Sequence, residues 1–185
     1  MHRGFLHVFA IISIGIAGTA IAADNPPAYP EFIFQGFQSG GTPGVHEESV
    51  QGSLTADVTQ GGGNPRSFNW LSLSVHSDTI HFVCKCRYMD VNNAYQVSGL
   101  VGDGKPCPDV GGHEGLSRFV NAVELSLAGA QADRYVLTYE CWMSGFGGGL
   151  YQSGDSHAAG DWCGDQGSTN WITKIAVHLR LNDSP

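Results

Sequence analysis

Three stretches of the chain share one rhythm of apolar and polar positions. NPRSFNWLSLSV, GLSRFVNAVELSL and STNWITKIAVHL each alternate apolar with polar residues, the period of a strand that buries one face. Phe68, Val120 and Ile172 stand 52 residues apart, and so do Leu71, Val123 and Ile175. Leu73, Leu125 and Val177 keep the interval, as do Val75, Leu127 and Leu179, while Gly63, Gly115 and Gly167 precede the strands in phase. Five positions in register through three copies predict a three-fold duplication. Upstream, HFVCKCRYM and RYVLTYECWM are matching alternating strands, and EFIFQGF opens the first copy. Residues Phe119–Leu127 have a helical aspect, but their counterpart carries β-branched Thr173, Ile175 and Val177, so a strand is predicted there.

Each copy reads as an aromatic strand, a polar loop with short strands, a glycine turn and a β-branched strand. The copies span about 30–77, 78–129 and 130–182, within a single β domain at 23–185. Units of about fifty residues cannot bury a core alone and pack around a common axis instead. The expected fold is therefore all-β, a three-fold pseudo-symmetric repeat domain that is β-prism-like. A β-trefoil is the alternative, disfavoured because no Gln-x-Trp motif occurs.

The N-terminus changes the picture of where this domain works. Arg3 is followed by an almost wholly apolar run from Phe5 to Ala22, closed by the small-x-small pattern Ala20-Ile21-Ala22. This is the form of a secretory signal peptide at 1–22, which makes the mature protein secreted or extracytoplasmic, in a periplasm or at a cell surface. After signal removal no membrane insertion is expected. Loss of Arg3 takes the formal net charge from −8 to −9. So acidic a chain repels phosphate backbones, and no nucleic acid partner is expected.

Five cysteines, Cys84, Cys86, Cys107, Cys141 and Cys163, follow the signal, where disulfides are the default. Cys86 and Cys141 occupy equivalent first strands, and Cys107 and Cys163 both precede a glycine turn. Two related bridges are predicted, Cys86–Cys107 and Cys141–Cys163, each worth about 3 kcal/mol on the chain-entropy model. Cys84 lies on the same strand face as Cys86 and competes with it, or is left to link chains into a homo-oligomer.

The last part of copies two and three carries Gly112-His113-Glu114-Gly115 before Arg118-Phe119-Val120-Asn121-Ala122-Val123-Glu124-Leu125, and Gly164-Asp165-Gln166-Gly167 before Ile172-Thr173-Lys174-Ile175-Ala176-Val177. Tyr139 and Gly145-Phe146 precede the second set. These motifs resemble the clostridial hydrophobic-tryptophan (ChW) repeat family, although the family's Gly-Thr pair is absent and Phe146 replaces its hallmark tryptophan. Gly61-Gly62-Gly63-Asn64 with Leu71-x-Leu73-x-Val75 is similar to the glycine loop and hairpin of jacalin-type β-prism lectins. Both resemblances imply a surface module for adhesion or carbohydrate contact, and neither brings catalytic residues.

Candidate chemistry concentrates in DWCGDQG. His157, Asp161, Cys163 and Asp165 are of types that zinc accepts, but Cys163 is spoken for by its predicted bridge. Calcium, with Asp155, Asp161 and Asp165, is the better metal, though the EF-hand spacing is missing, so no cofactor is expected. Gly154-Asp155-Ser156-His157 superficially matches an esterase block without its α/β chain, and Glu47 or Glu48 lacks a defined partner acid. A secreted hydrolase is therefore the least favoured reading, and the chain is taken as a non-enzyme. Sugar sites need an aromatic platform beside polar groups on glycine turns. Trp162, Asp161, Asp165, Gln166, His113, Glu114 and Asn64 supply these, so the expected function is lectin-like recognition of glycans or cell-surface components by the loops ahead of each last strand. The alternative is a structural, self-assembling surface protein or secreted interaction partner.

Overall fold

The computed structural model describes residues 26–38, 44–58, 67–109, 117–144, 150–152, 156–167 and 169–182. The signal segment, Asn64, His113, Glu114, Asp155, Gly63 and Gly115 lie outside the described residues. Within them the protein is all-β, with three antiparallel sheets. The strands are β1 (Phe32–Gln38), β2 (Val45–Glu48), β3 (Ser53–Asp57), β4 (Phe68–Val75), β5 (His81–Asp90), β6 (Tyr95–Val97), β7 (Ser117–Ala128), β8 (Tyr135–Ser144), β9 (Leu150–Gln152), β10 (His157–Ala158), β11 (Trp162–Gly164) and β12 (Trp171–Leu181). The first sheet runs β2-β1-β4, the second β10-β8-β12-β3 with β9 also on β8, and the third β11-β7-β5-β6.

A long antiparallel pair forms the main part of each sheet, and the three pairs share one register. Phe32, Phe34 and Gly36 of β1 face Val75, Leu73 and Leu71 of β4. Phe82, Cys84 and Cys86 of β5 face Leu127, Leu125 and Val123 of β7. Leu137, Tyr139 and Cys141 of β8 face Leu179, Val177 and Ile175 of β12. Each pair then skips one residue of its second strand, Asn69, Asn121 or Thr173. These three bulged residues are polar yet buried. An unpaired bulge residue twists the ladder and needs side-chain partners. Thr173 Oγ1 donates to the Trp142 carbonyl, and Asn121 Nδ2 donates to the Asn170 carbonyl.

The sheets are tied together by exchanging short segments. From the chain between β1 and β4, β3 adds to β12, placing Ala56 opposite Ile175. From between β8 and β12, β11 adds to β7, placing Cys163 opposite Val123. Between β5 and β7, Cys107 exchanges two backbone hydrogen bonds with Leu71 of β4, at 3.0 and 2.7 Å. Asp103 secures that crossing, its carboxylate accepting from the amides of Val75 (3.2 and 3.3 Å) and Phe82 (2.9 Å).

The turn at 76–80, which the alternation suggests is a hairpin, instead carries the chain from the first sheet to the third, because β4 and β5 do not pair. Residues 129–134 make the matching passage from the third sheet to the second. The two passages touch where the Gln131 amide donates to the Thr79 carbonyl at 3.2 Å. Gly129 sits at φ +113°, where a Cβ would lie 2.3 Å from the Thr79 oxygen. Beside these passages Leu181 N–H donates to the Ala28 carbonyl and Asn182 N–H to the Arg134 carbonyl.

The inward faces fuse into one apolar cluster that contains Phe32, Phe34, Phe68, Phe82, Leu125, Ile175 and the Cys141–Cys163 disulfide. Phe32 meets Phe82 and Phe34 meets Phe68 edge to face, each with centroids 5.4 Å apart. The first pair has Gly36 and Ala56 where the third has its disulfide. There the Phe68 ring fills the space, since a Cβ on Gly36 would approach it to 2.8 Å.

Candidate functional site

The register of β11 decides what its residues present. Cys163 points into the core, so Trp162 and Gly164 point away from it. Trp162 is half-buried on the solvent face of the third sheet, opposite Glu124 and two strands from Lys85. The Lys85 ammonium lies 5.3 Å from the indole centroid and 3.7 Å from the Glu124 carboxylate. Asp161 beside it is exposed, but its backbone carbonyl accepts a hydrogen bond from the buried Tyr139 hydroxyl. That hydroxyl also accepts from Leu125 N–H at 3.0 Å, so it replaces a rung of the ladder. Burial pushes the Tyr139 phenol up to about 12, against the pull of the Leu125 amide.

Asp165 builds the turn that follows. Its Oδ1 accepts from Gly167 N–H and its Oδ2 from Asn170 Nδ2, both at 2.9 Å. Its amide donates to the Asn121 carbonyl at 2.9 Å, and its carbonyl accepts from Arg87 Nη1 at 3.2 Å. Both carboxylate oxygens are thus engaged in shaping the chain, an Asx-turn role. Gln166 is exposed at the tip. The structure therefore groups Asp161 and Trp162 at one end of β11 with Asp165 and Gln166 at the other.

Beyond these, the solvent faces carry rings at one register position, just outside each bulge. Phe37 stacks on Trp70 in the first sheet, centroids 6.3 Å apart with planes 7° from parallel. In the second, Lys174 Nζ lies 4.3 Å from the Trp142 centroid. In the third, Arg87 holds the position and its guanidinium lies 4.1 Å from the Tyr95 ring.

A cleft of about 410 Å³ opens at the β5–β6 side of the third sheet, lined by Tyr88, Val97, Ser98, Gly99, Leu100, Val101, Gly102, Lys105, Pro108 and Asp109. A side-chain Cβ at Gly99 or Gly102 would meet nothing within 4 Å, so their backbone is open to an approaching ligand. The sequence reading missed this cleft. Its signal is the run SGLVGDGKPCPD, glycines interleaved with Lys and Asp ahead of a last strand.

Beneath the cleft the cysteine expectation meets a correction. Cys141–Cys163 is bonded, with Cα atoms 5.9 Å apart, but Cys86–Cys107 is not. Cys84, Cys86 and Cys107 are three buried thiols, and the Cys107 sulfur lies 3.6 Å from Ser98 Oγ. Two cysteines on one strand face compete for a single partner. Burial raises the Cys84 and Cys86 thiols well above their ordinary value. Burial also pushes Cys107 up, but hydrogen bonds from Cys84, Cys86 and Ser98 outweigh it and bring that thiol down to about 5. Cys84, the thiol expected to link chains, is only 4% exposed.

The remaining candidates are dispersed. Glu47 and Glu48 lie on β2, where Glu48 pairs with His46 at 3.8 Å, and the His157 ring stands 6.1 Å from that of Tyr139. Among the described residues no group of three or more His, Cys, Asp or Glu side chains is arranged to hold a metal, and Cys163 has no thiolate to offer. No family model, curated protein or solved structure matches the chain.

Proposed function

We propose that the chain is a secreted glycan-binding module whose three strand pairs form a three-fold pseudo-symmetric β-prism. Supporting the prism over the trefoil, each pair belongs to its own sheet, and the chain within each pair lends a short segment to another pair's second strand. The 52-residue spacing of Asn69, Asn121 and Thr173, each at a bulge, supports duplication of one unit.

The cleft is the observation that carries the binding reading. Its volume suits a small ligand, and it joins the Tyr88 ring and open glycine backbone to Lys105 and Asp109. Its wall from Ser98 to Asp109 belongs to the described part of the loop ahead of β7. An aromatic face stacks on the C–H surface of a sugar while amides, Lys and Asp hydrogen-bond its hydroxyls. Trp162 with Asp161 offers a second, flatter surface on the same sheet, and weak sites gain avidity when their spacing fits the target. The test is a glycan array with wild type, Asp109→Ala and Trp162→Ala. Binding lost with Asp109→Ala places the ligand in the cleft, and loss with Trp162→Ala places it on the outer face. An empty array at high micromolar protein removes the lectin reading. Export is checked separately, by a mature N-terminus at Ala23.

A second reading, self-assembly, draws on Val97 and Leu100, which are 56% and 71% exposed at the β6 edge. Light scattering decides it, since a monomer at all concentrations rules it out.

A further inference from the structure

We propose that Cys107 is the shared partner of two thiols: the second disulfide of the fold forms between Cys86 and Cys107, and Cys84 is an internal thiol that exchanges into it. The register supplies the first argument. In the bonded pair, Cys141 lies opposite Ile175 on its own second strand, and Cys163 lies opposite Val123 on a borrowed one. Cys86 lies opposite Val123 on its own second strand, and Cys107 opposite Leu71 on a borrowed one. Position for position, Cys86 and Cys107 occupy the places of Cys141 and Cys163.

Cys84 supplies the second argument. It follows the same face of β5 two residues before Cys86, about 7 Å along the strand. The matching places in the other pairs hold the far larger Phe34 and Tyr139, as both the register and burial require. A small residue there leaves room for a sulfur to move, and all three sulfurs are buried in the same core cluster. The cleft supplies a way in, because Ser98 lines it and its Oγ lies 3.6 Å from the Cys107 sulfur.

The chemistry is thiol–disulfide exchange with a small-molecule disulfide as oxidant. The Cys107 thiolate attacks one sulfur of that disulfide, forming a mixed disulfide and releasing one thiolate. Cys86, giving up its proton, then attacks the Cys107 sulfur and releases the second thiolate. The protein loses two electrons and the oxidant becomes two thiols. In the later exchange the Cys84 thiol loses its proton and attacks the Cys107 sulfur, while the Cys86 sulfur leaves and takes up a proton, with no net oxidation.

Peptide mapping tests this on the full mature chain. Protein reduced under native conditions is treated with oxidised glutathione, quenched in acid, alkylated with N-ethylmaleimide after denaturation, and digested with trypsin. Lys85 lies between the two cysteines, so cleavage there puts Cys84 and Cys86 on separate peptides. The expected wild-type map has Cys86–Cys107 as the major linkage and Cys84–Cys107 as the minor one. In Cys86→Ser the Cys84–Cys107 linkage becomes the sole species, and in Cys84→Ser it disappears while Cys86–Cys107 remains. A wild-type map with all three cysteines alkylated overturns the proposal, and so does a Cys86→Ser protein with Cys84 and Cys107 both alkylated. If Cys86→Ser fails to fold, the wild-type map decides alone: a Cys84–Cys107 peptide supports exchange, and its absence refutes it.

Discussion

Tyr139 joins two strands through one oxygen, and removing that oxygen has a calculable cost. The side chain is fully buried, and Phe in its place keeps the ring while leaving the Leu125 amide and the Asp161 carbonyl without their partner. Leu125 is also fully buried, so its orphaned amide costs about 1–3 kcal/mol. The carbonyl of exposed Asp161 recovers a water, and its loss is about 1 kcal/mol. Tyr139→Phe should lower the unfolding free energy at pH 7 by about 2–4 kcal/mol, read as a lower urea midpoint at unchanged slope. The titration adds a second readout. With the phenol raised by burial from 10 to about 12, the folded state holds this proton more tightly than the unfolded chain. That contribution is complete below pH 10 and is lost as the pH rises through 12, up to about 3 kcal/mol. Burial raises Tyr88 and Tyr135 too, so the substitution should reduce the alkaline loss without abolishing it. A Tyr139→Phe protein within about 0.5 kcal/mol of wild type, as expected of the exposed control Tyr29→Phe, would refute the bridging role.

Two further perturbations probe the joints between sheets. Gly129→Ala sets a Cβ against the Thr79 oxygen at a positive φ, and should cost about 1–3 kcal/mol in the same urea assay, whereas Gly99→Ala should be near neutral. Asp103→Ala strips acceptors from the Val75 and Phe82 amides and should cost about 2–4 kcal/mol, while Asp103→Asn, which keeps one oxygen acceptor, should lose less. Equal losses for the two Asp103 variants would mean that its charge, rather than its hydrogen bonding, secures the crossing.

The long strands were legible because alternation reports burial directly, and the residues in phase at Leu71, Val123 and Ile175 do lie inside. The Cys141–Cys163 bridge followed from position within the copies. Partner choice among the short strands was not legible. Segments such as β3 and β11 are three to five residues long, too short to carry a period, and their neighbours β12 and β7 lie far away in sequence. The turn at Ser77-Asp78-Thr79 is opaque for a related reason, since its composition signals reversal but not which sheet the next strand joins. Of the candidate site, the outward setting of Trp162 follows from the inward setting of Cys163. The role of Asp165 in its turn is legible as Asp-x-Gly, an Asx-turn pattern. The cleft is not legible because it depends on how the irregular segment after β6 folds beside Tyr88, and such a segment carries no period.

The loan of β3 to β12 has a consequence for how the chain is made. His178 Nδ1 and Ser53 Oγ, 3.0 Å apart, are separated by 125 residues of sequence. The second sheet therefore cannot be completed until the last strand has left the ribosome, and until then β3 carries an unsatisfied edge. Such long-range closure makes folding slow and leaves the nascent chain open to wrong pairings. Truncation before Trp171 would remove the strand that both β8 and β3 require, so an N-terminal fragment would lack a sheet rather than merely a tail.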